Sequence, residues 1–243
     1  MNIKLIISYD GTRYFGWQKT KAGPSIQEAL EKALLQIVRE HVIVEAASRT
    51  DRGVHAKQQI VNFILTKPIP LPRLLYSLNS VLPSDIRGLE IERVCDEFHP
   101  TVHALKKEYR YYINLRPVQD PLSRLYTWHI YEPLDLEAMH RAASLLIGTH
   151  DFASFTTMKI DDTMRTLFNV QILTPSNDQI EIRILGDRFL YKMARRLVGT
   201  LVAVGKQTLS ESEMSTLLSQ PNRAKAGMTA PANGLFLYQV YYI

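Results

Sequence analysis

Hydrophobic and polar positions alternate along this chain with two periods, and the switches between them predict most of its elements. NIKLIISY (2–9) reads as a strand. A loop rich in Gly, Tyr and Trp follows, YDGTRYFGWQKTKAGP (9–24). Ile26, Ala29, Leu30, Ala33, Leu34 and Ile37 then recur at helical spacing, so SIQEALEKALLQIVRE is an amphipathic helix. Ser25 fits its N-cap, and Glu28 three residues on makes a capping-box pattern. HVIVEAA and QQIVNFIL are β-branched runs that read as two strands around a loop. KPIPLP (67–72) turns into a short helix, LPRLLYSLNSVL, and IRGLEIERV reads as a further strand. Residues 1–95 thus run strand, helix, strand, strand, helix, strand, the ferredoxin-like order.

KKEYRYYIN (106–114) alternates as a strand, with Tyr109 and Tyr111 on one face and Arg110 and Tyr112 on the other. LDLEAMHRAASLLIG is a second amphipathic helix. VQILTP and QIEIRIL form a hairpin around Ser176-Asn177-Asp178. FLYKMARRLVGTLVAVG reads as a helix ending near Gly205. On it Arg188, Lys192 and Arg195 recur at i, i+4 and i+7, a cationic ridge beside Leu190, Met193, Ala194, Leu197 and Val198. Another helix spans about 210–219, and GLFLYQVYYI closes the chain as a strand. The expected class is α+β, in two related halves, 1–105 and 106–243, with FHPTVHA (98–104) crossing between them.

Composition narrows the chemistry. The chain has 243 residues, 46% hydrophobic and 22% charged, an ordinary soluble composition long enough for one large domain or two smaller ones. The single cysteine, Cys95, excludes an internal disulfide and a Cys-based zinc site and fits a reducing compartment. The N-terminal apolar run is too short for a signal peptide, and no stretch reaches the roughly 18 apolar residues of a membrane span, so no membrane role is expected and the cytoplasm is the expected location. Metal-ligand spacing, a Gly-rich phosphate loop and a GxSxG elbow are all missing. The net charge of +5 is mild and evenly spread, and leans toward a polyanionic partner such as nucleic acid.

The densest chemistry lies in SRTDRGVHA (48–56). Asp51 sits between Arg49 and Arg52, and neighbouring cations favour the ionised acid. Gly53 suits a tight loop needing positive φ. The same run also reads as an ordinary Asx-type turn with a surface ion pair. Aromatics beside basic residues in KKEYRYY and YFGWQK fit base stacking with phosphate contacts, and fit core packing equally. These features together describe an RNA-binding enzyme with one essential carboxylate.

Several stretches, in order, resemble the tRNA pseudouridine synthase A family. SRTDRGVHA resembles its RTDxGVHA signature, YDGTRYFGWQ its YDGxxYxGWQ element, LNSVLPSDI its LNxxLPxDI segment and KKEYRYYI its KxYRYxI strand. HDFASF, TMRTL, FLYKMARRLVG and the APANGLFL end are similar to later blocks, so the resemblance runs from residue 9 to about 240. It implies a pseudouridine synthase fold, with two ferredoxin-like or RRM-like halves whose mainly antiparallel sheets flank a basic active-site cleft. It further implies isomerisation of uridines 38–40 in the anticodon stem-loop of tRNA, by a homodimer using no metal and no organic cofactor. Carried over, Asp51 is the catalytic residue, Tyr109 packs on the target base, and Arg195 pairs with the aspartate. Arg49 binds RNA and holds the loop. Arg52, Arg110, Tyr111, Arg188 and Lys192 complete the candidate substrate contacts. The family's FHAR segment is FHPT here, so Thr101 replaces an arginine whose RNA contact is lost or passes to His103; Ser48 replaces a common glycine. Two other readings stand beside this one, a pseudouridine synthase with a shifted target and a non-catalytic RNA-binding module.

Overall fold

The alternation in NIKLIISY becomes strand β1 (Asn2–Tyr9), whose Ile3, Leu5, Ile7 and Tyr9 are buried in the computed structural model, which describes residues 1–243. The chain continues through α1 (Ile26–Val38), β2 (Glu45–Ala46), β3 (His55–Ile64), α2 (Leu71–Val81) and β4 (Ile86–Arg93). It then forms β5 (Lys106–Asn114), β6 (Trp128–His129), α3 (Leu136–Leu145), β7 (Gly148–Asp151), β8 (Met164–Ser176) and β9 (Gln179–Gly186). Helices α4 (Met193–Gly205) and α5 (Glu211–Ser219) precede the last strand, β10 (Leu235–Tyr241). No helix is long and apolar enough to cross a membrane. Two compact units emerge, one of residues 1–105 with 236–243 and one of residues 106–235. Residues 236–243 thus cluster with the first unit, because Phe236 and Leu237 pair in parallel with His55 and Ala56 and the Leu105 N–H donates to the Tyr241 carbonyl.

In the first unit β1 lies between β3 and β4, antiparallel to both, and β2 pairs antiparallel with the far edge of β3. This is the split ferredoxin-like arrangement. The Ser25 hydroxyl caps α1 by accepting from the Glu28 N–H (3.3 Å). Glu28 itself turns to Lys32 (2.7 Å), and a reciprocal capping box forms instead at α5, between Ser210 and Glu213. The expected strand over HVIVEAA shrinks to Glu45–Ala46. The reason lies in α1, whose side chains take the place of a sheet neighbour. Glu31 accepts from the Val44 N–H (3.1 Å), and Gln27 donates to the Val44 carbonyl (3.0 Å).

The strand that carries the aspartate loop is braced by one buried amide. Gln59, on β3 opposite Ile7 of β1, has no exposed surface. Its Nε2 donates to the Ser48 carbonyl (2.6 Å) and its Oε1 accepts from the Ser48 N–H (3.2 Å). The loop entry is thereby held as if by a ladder pair, although it lies outside any strand.

In the second unit β5, β9, β8 and β7 are neighbours in that order, each pair antiparallel, and β6 runs parallel to β5. Lys107, Tyr109, Tyr111 and Ile113 face inward on β5, as period-two alternation requires. The β8–β9 hairpin turns at Asn177-Asp178, with Ser176 opposite Gln179. Helix α4 starts at Met193, later than its sequence pattern suggests. Asp187 bends the chain out of β9: its N–H donates to the Thr166 carbonyl and its Oδ1 accepts from the Thr166 N–H, both at 3.0 Å. Lys192 takes a left-handed φ of 61° as the helix N-cap. Arg188 and Lys192 therefore stand before the helix, and the expected ridge with Arg195 does not form. The apolar face does form, since Leu190, Met193, Ala194, Leu197 and Val198 are all buried. Residues 227–230 lie along α4 at Gly199, where any Cβ would overlap the Met228 carbonyl oxygen. Gly227 N–H donates to the Thr200 hydroxyl (3.0 Å), and Ala230 N–H donates to the Arg195 carbonyl (3.1 Å).

Replacing Gln59 by Leu removes its two hydrogen bonds to Ser48, and the expected loss is about 1–3 kcal/mol in urea unfolding. Unchanged stability would show that Ser48 finds other partners at no cost. Gly199→Ala adds up to about 1 kcal/mol of helix propensity. Overlap with the Met228 carbonyl opposes this by about 1–3 kcal/mol. A lowered melting temperature with native far-UV dichroism is expected, and a raised one would refute the close approach.

Candidate active site

Asp51 lies in the loop between β2 and β3, half-buried, with a fixed backbone on each side. Thr50 before it is buried; its hydroxyl shares a 2.7 Å hydrogen bond with the Tyr9 hydroxyl, and its carbonyl accepts from the Trp17 N–H (3.0 Å). The Asp51 carbonyl accepts from the Val54 N–H (3.1 Å), closing a turn over Arg52 and Gly53. Gly53 has φ 77°, the positive value a type II turn places at its third residue, and its N–H donates to the Tyr14 carbonyl (3.2 Å). The YDGTRYFGW segment thus forms one wall of the loop. Burial pushes the Tyr9 hydroxyl up to about 12, so it stays protonated at working pH.

His55 at the start of β3 completes that wall. It is 1% exposed, its ring stacks on Phe236 (4.6 Å between centroids), and its Nδ1 accepts from the Gly11 N–H (3.1 Å). The Asp10 carboxylate is also 3.1 Å from Nδ1. The histidine ties YDG to β3 and so supports the loop. Of the flanking cations, Arg52 is exposed with its guanidinium over the Phe15 ring, 4.1 Å from the centroid, and Arg49 is exposed. Thr101, the residue in place of the family arginine, donates its hydroxyl to the Ala46 carbonyl (2.7 Å) at the end of β2. His103 stacks on Phe98, and its Nδ1 accepts from the His99 N–H (2.9 Å).

In the second unit Tyr109 is buried on β5, edge-on to Phe189 at 4.8 Å. Tyr111, two residues on, is fully buried, donates its hydroxyl to the Pro231 carbonyl (2.8 Å) and meets Trp128 edge-on. Burial pushes its hydroxyl well above the usual range, and nearby Arg195 opposes the rise. Tyr111 is therefore a core residue, with no surface to offer a substrate. Arg110 sits between Glu108 (2.7 Å) and Glu181 (3.1 Å), and Arg183 shares Glu181 (2.7 Å). Two arginines and two glutamates balance there, so Arg110 is matched within its own unit and is a poor phosphate contact. Arg195, in the first turn of α4, donates from Nε to the Ala230 carbonyl (2.7 Å), and the Ala230 N–H answers to its own carbonyl. That two-way bond fixes the stem of the side chain. Arg188 is exposed, and the Lys192 ammonium lies 5.0 Å from the Tyr191 ring centroid.

Sequence reasoning passed over Gln59, Thr50, Tyr9, Phe189 and Lys107. Tyr9 and Thr50 lie inside the YDGTRYFGWQ and SRTDRGVHA stretches without a role of their own there, and Gln59 and Phe189 read as strand and helix filler. Lys107 did carry a signal, being a lysine at an inward position of an alternating strand.

Residues 5–101 and 142–243 match the family described as tRNA pseudouridine synthase. The β5 strand falls between the matched segments but is covered by full-length relatives. A protein named tRNA pseudouridine synthase A 2, from Protochlamydia amoebophila (strain UWE25), is 47% identical over 246 residues, spanning 99% of this chain and 94% of its own. The tRNA pseudouridine synthase A of Thermoanaerobacter sp. (strain X514) is 44% identical over 243 residues, spanning 99% of both. A solved H/ACA RNP bound to a substrate RNA containing 2'-deoxyuridine matches with a TM-score of 0.41 and 10% identity, over 83% of this chain and 44% of that one. With both segments of the family matched and its relatives collinear from end to end, this chain belongs to the tRNA pseudouridine synthase family.

Proposed function

We propose that this tRNA pseudouridine synthase isomerises uridines at positions 38–40 of the anticodon stem-loop, with Asp51 as the catalytic carboxylate. One observation carries the reading. The SRTDRGVHA loop is held on both sides of Asp51 by hydrogen bonds to the buried Gln59 and Tyr9 and to backbone, in a chain that spans 94–99% of relatives named tRNA pseudouridine synthase A. A reactive group on an irregular loop works only if the scaffold fixes it.

The reaction breaks the N1–C1′ glycosidic bond, turns the uracil and forms a C5–C1′ bond. C5 gives up its proton and N1 gains one, so atoms balance and no redox carrier is needed. Asp51 attacks C1′, attacks C6 or assists removal of a sugar proton; each route needs its ionised form. Arg195, with its stem fixed on Ala230, is the proposed cationic partner that favours that form. The target uridine must leave its stack, and the Tyr109 ring takes the flipped base. Arg49, Arg52, Arg188 and Lys192 are the proposed phosphate contacts, which position the tRNA without reading its sequence. The protein acts as a cytoplasmic homodimer, in keeping with the resemblance.

A second reading, a shifted target, rests on Thr101. Its hydroxyl is engaged with the Ala46 carbonyl, so this chain uses for loop support a position where the family carries an arginine.

Asp51→Asn is expected to lower pseudouridine formation by roughly 10³-fold or more in single-turnover release of the C5 hydrogen from unmodified tRNA, while tRNA affinity stays within a few fold. Turnover near wild type would sink the role of Asp51. Mapping pseudouridines in tRNA from cells lacking the protein is expected to show loss at 38–40. Loss confined to sites outside the anticodon arm would favour the shifted target.

A further inference from the structure

Lys107 is the one inward-facing cation of β5. It shares a face with Tyr109 and Tyr111 and is only 6% exposed. No carboxylate lies within ion-pair distance of its ammonium; Asp187 acts on it only from farther off, and its Oδ1 accepts from the Thr166 and Arg188 N–H groups. Arg188 is near enough to repel it. Opposite Lys107 across the strand pair stands Gly186, over which the Phe189 ring leans toward Tyr109. The lysine therefore sits one inward position along from the tyrosine, about 7 Å at the rise of a strand. That is the span between a nucleobase and its own phosphate.

A buried ammonium without a carboxylate lowers the stability of the folded chain, and an apolar residue of similar volume would fit better. Burial, with help from Arg188, brings Lys107 down to about 8, and Asp187 only partly opposes this. The group would remain charged at neutral pH and would gain most from an incoming anion.

We propose that Lys107, with Arg188 beside it, forms an anion subsite that takes a backbone phosphate of the RNA nucleotide whose base packs on Tyr109. This rests on the reading of Tyr109 given above. The subsite supplies the charge that Arg110, paired with Glu108 and Glu181, cannot. It also places a phosphate at a fixed distance from the base platform, so it positions the flipped nucleotide as well as binding it.

The test compares the wild type, Lys107→Met and Lys107→Arg for binding of an unmodified tRNA transcript at several salt concentrations, with melting temperature measured for each. Lys107→Met is expected to weaken binding about tenfold at 0.1 M salt. The slope of log affinity against log salt should fall by about one. Its melting temperature should equal or exceed that of wild type, and Lys107→Arg should restore slope and affinity. An unchanged slope, or weaker binding with a lower melting temperature, would overturn the subsite and make Lys107 a packing residue. Tyr109→Leu checks the other premise separately. Wild-type turnover in that variant would overturn the platform, leaving the phosphate contact to be judged by the salt slope alone.

Discussion

The Asp51 loop must hold its shape on a stretch of chain that belongs to no strand. Here the constraint is met by the side-chain amide of Gln59, whose oxygen and nitrogen take up the N–H and C=O of Ser48. Two residues later the Thr50 hydroxyl meets the Tyr9 hydroxyl, and the Thr50 carbonyl meets Trp17. The loop is thus anchored to β1 and to the segment after it before Asp51 is reached. The Thr50–Tyr9 bond is buried and the Gln59 amide has no exposed surface, so these groups are expensive to leave unpaired. The YDG and GW blocks, far from Asp51 in sequence, are conditions of its placement.

Electrostatics in the second unit follow a different logic. Around Arg110 the charges cancel locally, and the strand is held by matched pairs. At Lys107, three residues earlier in β5 and on the other face, the charge is left unmatched by the protein. The net +5 of the chain says little about where a polyanion would bind. What matters is which cations the fold has already neutralised.

Much of this was legible in the sequence. Period-two and helical patterns located β1, β3, β5, the β8–β9 hairpin and the helices, since burial of one face writes itself into the residue order. The positive φ of Gly53 was legible because the turn needs it. The misreadings share a cause, which is that tertiary partners are invisible in a local pattern. HVIVEAA has strand composition, yet Gln27 and Glu31 of α1 claim the backbone of Val44. FLYK continues the helical spacing of MARRLVG, yet the bend at Asp187 and the left-handed Lys192 delay the helix to Met193. Tyr111 counted among the candidate substrate contacts because aromatic and buried aromatic are written alike. The loop's motif was visible at once; the Gln59 brace that steadies it was not, because a glutamine inside a strand announces nothing.

The return of residues 236–243 to the first unit has a consequence for how the molecule comes into being. Strand β3, which leads out of the Asp51 loop, takes its parallel neighbour from Phe236 and Leu237, while residues 106–235 make up the second unit in between. At ribosomal speed that intervening stretch takes on the order of ten seconds to synthesise. Through that interval the nascent first unit carries β3 with this part of its edge open, next to the Asp51 loop. The second unit, by contrast, is complete as soon as residue 235 has emerged. Vectorial synthesis therefore closes the unit that starts first last.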